Sequence, residues 1–206
     1  MMIQKEPKTL LDHAGISHGP VTLQQAALLL IDYQKEYISG ALPLQNGKQA
    51  CLIASQLVEL FRTAQAPIFH IHHHAKAGAA LFNPETDMVA AAAGLTAREG
   101  EPIIVKSLPD AFAKTDLAMA LAARNCTDLV IAGFMTHMCV ASTTRTAGES
   151  GFRNLVIANA CASRDLPHPT QPGAVVPADD VHLGALAALA DRFAQIALFD
   201  KMLFRT

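Results

Sequence analysis

The chain has 206 residues, 51% of them hydrophobic, and its 16 basic and 18 acidic side chains leave a formal charge of -2. This length supports one domain with a sizeable core, and this charge gives no general attraction to nucleic acid or to an anionic membrane. No apolar run approaches a membrane span, and nothing after Lys5 and Lys8 reads as a secretory signal. Cys51, Cys126, Cys139 and Cys161 are widely spaced with no CxxC pair, which argues against a zinc ribbon and points to reduced thiols in a cytoplasmic protein.

Residues 1–24 are polar and mixed, and read as an N-terminal arm anchored by the Leu10-Leu11 pair. Ala26 to Tyr33 (AALLLIDY) is a continuous apolar run, the pattern of a parallel strand buried on both faces. It ends at Asp32, which either caps a turn or faces a crevice at the carboxyl edge of the sheet. Residues 34–46 are a loop. Lys48 to Gln65 is a helix, with Ile53, Leu57, Leu60, Phe61 and Ala64 on one stripe.

Pro67 to His74 (PIFHIHHH) is the second strand, and its alternation puts His70, His72 and His74 on one face and His73 on the other. Clustered histidines can bind a metal, but no carboxylate sits at ligand spacing, so neither a metal nor another cofactor is expected. Residues 75–100 form a long loop with a short helix near Thr86 to Ala93. The third strand, Pro102 to Ser107, carries Lys106 at its end. Lys114 to Asn125 is a helix with Thr115 as its N-cap. Asp128 to Phe134 is the fourth strand and Asn154 to Cys161 the fifth. Residues 162–179 are a proline-punctuated loop, followed by a helix over Asp180 to Phe193 and a sixth strand over Ala194 to Phe199.

Alternating strands and helices give an α/β domain with a mainly parallel sheet of about six strands and helices on both faces. Ligands bind such sheets at the carboxyl ends of the strands. Asp32, Lys106 and Cys139 all fall there. After the fourth strand, Gly133-Phe134-Met135-Thr136-His137-Met138-Cys139 reads as a sharp turn into a helix starting near Cys139. A thiol at that position meets the positive end of the helix dipole, which favours thiolate, and free N–H groups beside it can receive an oxyanion. The set has a coherent chemistry. Cys139 attacks a carbonyl carbon, Asp32 moves the proton, and Lys106 holds Asp32 and stabilises charge. No G-x-S-x-G elbow and no G-x-G-x-x-G fingerprint competes.

Three pieces, LLLIDYQKEY with Asp32, PIIVKSLPDAFAKTDL with Lys106 and VIAGFMTHMCVASTTRTAGESGF with Cys139, occur in this order. Together they resemble the isochorismatase-like cysteine hydrolases, which include nicotinamidases and carbamoyl amidases. The resemblance runs from about residue 24 to 200. It implies a three-layer α/β/α Rossmann-like fold with sheet order 3-2-1-4-5-6 and a catalytic Asp32, Lys106, Cys139 triad. That order makes Asp32 and Cys139 neighbours, while Lys106 starts two strands away and must curl back. The resemblance further implies a cis peptide at Phe134–Met135, an oxyanion hole of the Met135 and Cys139 N–H groups, and a homo-oligomer, either dimer or tetramer.

The departures are as informative. Nicotinamidases carry an Asp-x-His metal motif after the second strand. This chain reads His72-His73-His74-Ala75-Lys76, without that Asp. Isochorismatases proper lack the nucleophilic cysteine that stands here as Cys139. What remains is hydrolysis of a C–N bond in a small amide, ureide or carbamate. The candidate pocket residues are His73, Phe82, Phe112 and Phe134, with Tyr37 a weaker one. Competing readings are a vinyl-ether hydrolase, a redox thiol protein in which Cys161 approaches Cys139, and a non-catalytic module.

Overall fold

The computed structural model describes residues 6–16 and 19–205. Six strands form one sheet: β1 (Ala26–Ile31), β2 (Ile68–His73), β3 (Ile103–Lys106), β4 (Asp128–Phe134), β5 (Arg153–Ala162) and β6 (Gln195–Ala197). Their order is β3-β2-β1-β4-β5-β6, the order expected, and every pairing is parallel. The main helices are α1 (Gly47–Thr63), α2 (Leu117–Ala122), α3 (Ala141–Glu149) and α4 (Ala178–Arg192). None of the helices among the described residues is long and apolar enough to cross a membrane.

Strand alternation divides the core into two layers. Ala26, Leu28 and Leu30 of β1, with Val130, Ala132 and Phe134 of β4, bury against Ala54, Leu57, Val58 and Phe61 of α1. Ala27, Leu29 and Ile31, with Leu129 and Ile131, bury against Leu117 and Leu121 of α2, Ala147 of α3, and Leu186 and Leu189 of α4. Each such Leu or Ile stabilises the fold by about 1.5–3 kcal/mol when fully buried. That is why the two central strands are unbroken apolar runs, buried at every position. The edge strand β3 leaves Ile103 and Val105 exposed.

Several boundaries differ from the sequence pattern. The helix expected over Lys114 to Asn125 shrinks to α2, because Lys114 and Asn125 both take positive φ and cannot continue it. Thr115 still serves the helix start, where its Oγ1 accepts the Leu117 N–H at 3.3 Å, although Asp116 holds the cap position. The short helix near Thr86 is one 3-10 turn over Asp87–Val89. In the arm, Leu10 is not an apolar anchor, being 54% exposed. Its N–H instead donates to Asp191 Oδ1 at 2.9 Å, and Val21 and Leu23 carry the burial.

Candidate active site

The site begins where β4 meets β1. Gly133 pairs with Ile31 and has φ +150°. A Cβ there would lie 2.2 Å from the Ile31 carbonyl oxygen, so only glycine lets the two strands approach this closely. The following peptide, Phe134–Met135, is cis. A single π turn, Thr136–Val140, then leads into α3. The Met135 carbonyl accepts the N–H groups of Met138 at 3.0 Å and Val140 at 3.3 Å. The hydroxyl of Thr136 contacts Nδ1 of His182 on α4 at 2.8 Å. This turn presents Cys139 with 5% of its surface exposed.

Asp32 follows the last residue of β1 and takes φ +55°, a left-handed conformation that an aspartate tolerates better than most residues. Its N–H still donates to Ile71 O at 2.8 Å, which ties the bend to β2. Lys106 ends β3, in register with His73. Two strand spacings separate β3 from β1, about 10 Å. The Lys106 side chain reaches across β2 into that gap, where Asp32 meets it. Its Nζ donates to Asp32 Oδ2 at 2.8 Å and to Cys139 Sγ at 3.3 Å, and stands 3.5 Å from His73 Nδ1. Asp32, Cys139 and Lys106 therefore meet at the ammonium group, and the Asp32 and Lys106 side chains are wholly withdrawn from solvent.

Burial governs the electrostatics. It raises the Asp32 carboxyl, and the Lys106 charge works against that rise. The thiol of Cys139 is pushed up to about 12, first by burial and then by the Asp32 charge, against the opposing pull of Lys106. The helix-start argument for a resting thiolate thus gives way to desolvation. Cys139 is a thiol at rest, with the Asp32 carboxyl held at the same ammonium group. Asp32 Oδ1 has no hydrogen-bond partner among the described residues, so one carboxylate oxygen is free to take a proton.

Aromatic rings wall the site. Phe82, at φ +52°, sets its ring 5.0 Å from Tyr37 and 5.1 Å from His73. Phe134 lies behind, 5.6 Å from Tyr37 and 4.7 Å from Tyr33. Burial and the Lys106 charge depress His73 to about 4, so its ring is neutral. Phe112 does not join this group. Its ring packs against Phe152, which immediately precedes β5 at the amino edge of the sheet. Among the described residues no cluster of three His, Cys, Asp or Glu side chains is placed to hold a metal. His70 bonds to Glu101 Oε2 at 2.9 Å instead. The four cysteines are free thiols.

The isochorismatase domain family matches residues 26–198. The chain belongs to the isochorismatase family. An uncharacterised isochorismatase-family protein of Bacillus subtilis, YddQ, is 36% identical over 82% of this chain and 94% of its own. The crystal structure of an isochorismatase from Pseudomonas putida KT2440 superposes with a TM-score of 0.87 at 35% identity, over 93% of this chain and 97% of that one. A streptothricin hydrolase of Streptomyces noursei is 31% identical over 85% of this chain and 60% of its own. This isochorismatase-family protein is a hydrolase.

The sequence pattern missed four residues around the candidate site of this isochorismatase-family protein. Gln34 is fully buried and clamps β2, accepting the His73 N–H at 2.8 Å while donating to His73 O and Val89 O at 2.9 Å each. Glu36 is buried and takes the N–H groups of Ala41 at 2.7 Å and Phe82 at 3.1 Å. His182 holds Thr136. Arg164, two residues past β5, has a buried Nε with no hydrogen-bond partner among the described residues. Gln34 and Glu36 lie inside the LLLIDYQKEY piece, so their polarity beside a buried strand was the one available signal.

Proposed function

We propose that the protein is a cysteine amidohydrolase that cleaves the C–N bond of a small amide, ureide or carbamate through a thioester. The observation that carries this reading is the shared ammonium group, with Lys106 Nζ donating to both Asp32 Oδ2 and Cys139 Sγ inside a dry site. The streptothricin hydrolase relative is consistent with hydrolytic chemistry on this fold.

The neutral thiol passes its proton to Asp32 as the sulfur attacks the carbonyl carbon. A C–S bond forms and the carbonyl oxygen becomes an oxyanion, received by the N–H groups of Met135 and Cys139. Collapse breaks the C–N bond, and the leaving nitrogen takes the proton back from Asp32. Water then attacks the thioester, giving its proton to Asp32. Collapse breaks the C–S bond, the departing thiolate takes that proton back from Asp32, and the acid product leaves. Lys106 opposes the effect of burial on Asp32 and offsets negative charge as it builds on sulfur and oxygen.

The test is intact-mass spectrometry at short times after mixing with a panel of small amides and ureas, with ammonia or amine release followed in parallel. A transient acyl adduct on Cys139, absent in Cys139→Ala and slowed in Asp32→Asn, is expected. Turnover that survives Cys139→Ala would sink the reading.

A further inference from the structure

We propose that His73 is a positioning residue for Lys106: its Nδ1 accepts the third N–H of the ammonium group and fixes that group between Asp32 and Cys139. The inference rests on the amidohydrolase reading for what the ammonium does in catalysis, but its test does not need turnover.

An ammonium group carries three donors and no acceptor. The Lys106 side chain is wholly buried, so bulk water reaches none of them. Two donors go to Asp32 Oδ2 at 2.8 Å and to Cys139 Sγ at 3.3 Å. The third has one acceptor in reach among the described residues, His73 Nδ1 at 3.5 Å. A buried donor left unpaired destabilises the fold, so the last place falls to His73.

At 3.5 Å the contact is long, and its direction depends on how firmly the ring is held. Strand pairing puts His73 and Lys106 in register. Gln34 Oε1 accepts the His73 N–H at 2.8 Å, and Gln34 Nε2 donates to His73 O at 2.9 Å. The Gln34 N–H in turn donates to Asp32 O at 2.8 Å. One short segment therefore carries Asp32, which takes the first N–H, and fixes the strand residue that takes the third. The imidazole itself packs edge-on against Phe82, with centroids 5.1 Å apart and planes at 78°, which restricts its rotation.

Charge decides the tautomer. Only an unprotonated Nδ1 can accept, and an imidazolium would face the ammonium with like charge. Burial, then Lys106 and then His74, keep the ring neutral. A neutral imidazole whose Nδ1 accepts carries its proton on Nε2. The consequence falls on the nucleophile. Lys106 pulls the Cys139 thiol down against burial, and that pull depends on the ammonium staying beside the sulfur. Without the third acceptor the group is held at two points, of which the sulfur contact is the longer.

Nitrogen NMR of the His73 ring and alkylation of Cys139 test this. The ring is assigned by through-bond correlation from its own backbone. At neutral pH the wild-type protein is expected to show a neutral imidazole protonated on Nε2. Iodoacetamide rates at Cys139, read by peptide mass spectrometry at one mildly alkaline pH, are expected to fall about tenfold in His73→Phe, which removes the acceptor. His73→Asn keeps an amide atom at the place of Nδ1 and should recover most of the rate. His73→Gln carries its amide at the place of Nε2 and should not. A ring protonated on Nδ1, an imidazolium, a His73→Phe rate equal to that of wild type, no recovery in His73→Asn, or recovery in His73→Gln as large as in His73→Asn overturns the proposal. If no variant folds, or the wild-type thiol does not alkylate, the tautomer alone decides. The expected tautomer and rescue without turnover of any amide sink the amidohydrolase reading alone. Amide turnover with a ring protonated on Nδ1 sinks the positioning role alone.

Discussion

Lys106 and Asp32 form an ion pair, 2.8 Å from nitrogen to oxygen, in which neither side chain touches solvent. Such a pair contributes little net stability when intact, but losing one partner strands a buried charge. Lys106→Met is therefore expected to lower the unfolding free energy by about 3–5 kcal/mol. Adding Asp32→Asn removes the stranded charge and should restore at least about 1 kcal/mol of that loss. Urea unfolding of the two single variants and the double variant checks this. Additive losses would show that the pair does not couple.

The second prediction concerns acid. Glu101 is held down from 4.5 to about 2, chiefly by its hydrogen bonds from Arg62, at 2.7 Å and 2.9 Å. Its folded value lies below its unfolded one, so its stabilisation is present above 4.5 and is lost as the pH falls towards 2. The contribution is about 1–3 kcal/mol. Glu101→Gln should flatten the stability-versus-pH curve in that window while leaving the alkaline side unchanged. An unchanged acid limb in the variant would assign the loss to other carboxylates.

His182 is expected to act as a positioning residue for the turn that carries Cys139. Its contact with Thr136 at 2.8 Å ties α4 to the segment that begins three residues before Cys139. Burial lowers the imidazole, so at neutral pH it is uncharged. His182→Ala should cut kcat about 10–100-fold with little change in KM, since misplacement of the reacting atom costs the chemical step. His182→Gln, which keeps a hydrogen-bonding group, should recover part of it. A loss confined to melting temperature, with kcat intact, would reduce the contact to ordinary packing.

Gly133→Ala is expected to abolish the folded site. The added carbon meets the Ile31 carbonyl at 2.2 Å and the Ile31 Cβ at 2.7 Å, both inside the central strand pair. Neither atom can yield without breaking the register of β1 and β4. A soluble variant with a native melting curve would contradict this.

The layout of the sheet was legible because its central strands are apolar at every position, which leaves one reading for Ala26 to Ile31 and for Asp128 to Phe134. Asp32, Lys106 and Cys139 stood out as reactive groups at strand ends, and the structure brings them together at one ammonium. What the pattern could not carry was burial. The helix-start argument for Cys139 is local, whereas the desolvation that raises its thiol comes from the whole closed site. The packing of Phe112 against Phe152 was illegible for the same reason, since a loop phenylalanine gives no sign of which cluster it joins. Arg164 and His182 were invisible because their surroundings are assembled from distant segments. Thr136, the partner of His182, lies 46 positions away.

Glu36 gives one carboxylate to two loops, one oxygen to Ala41 and the other to Phe82, and Gly40 fits only because its missing Cβ would lie 2.5 Å from that carboxylate. The two loops that Glu36 joins are consequently not independent modules. A chimera that imports residues 75–100 from a relative while keeping the native 34–46 segment leaves a buried carboxyl group without the donor that Phe82 supplies. Divergence towards new substrates in this lineage must therefore proceed by exchanging both segments as one block, or by replacing Glu36 before either loop changes.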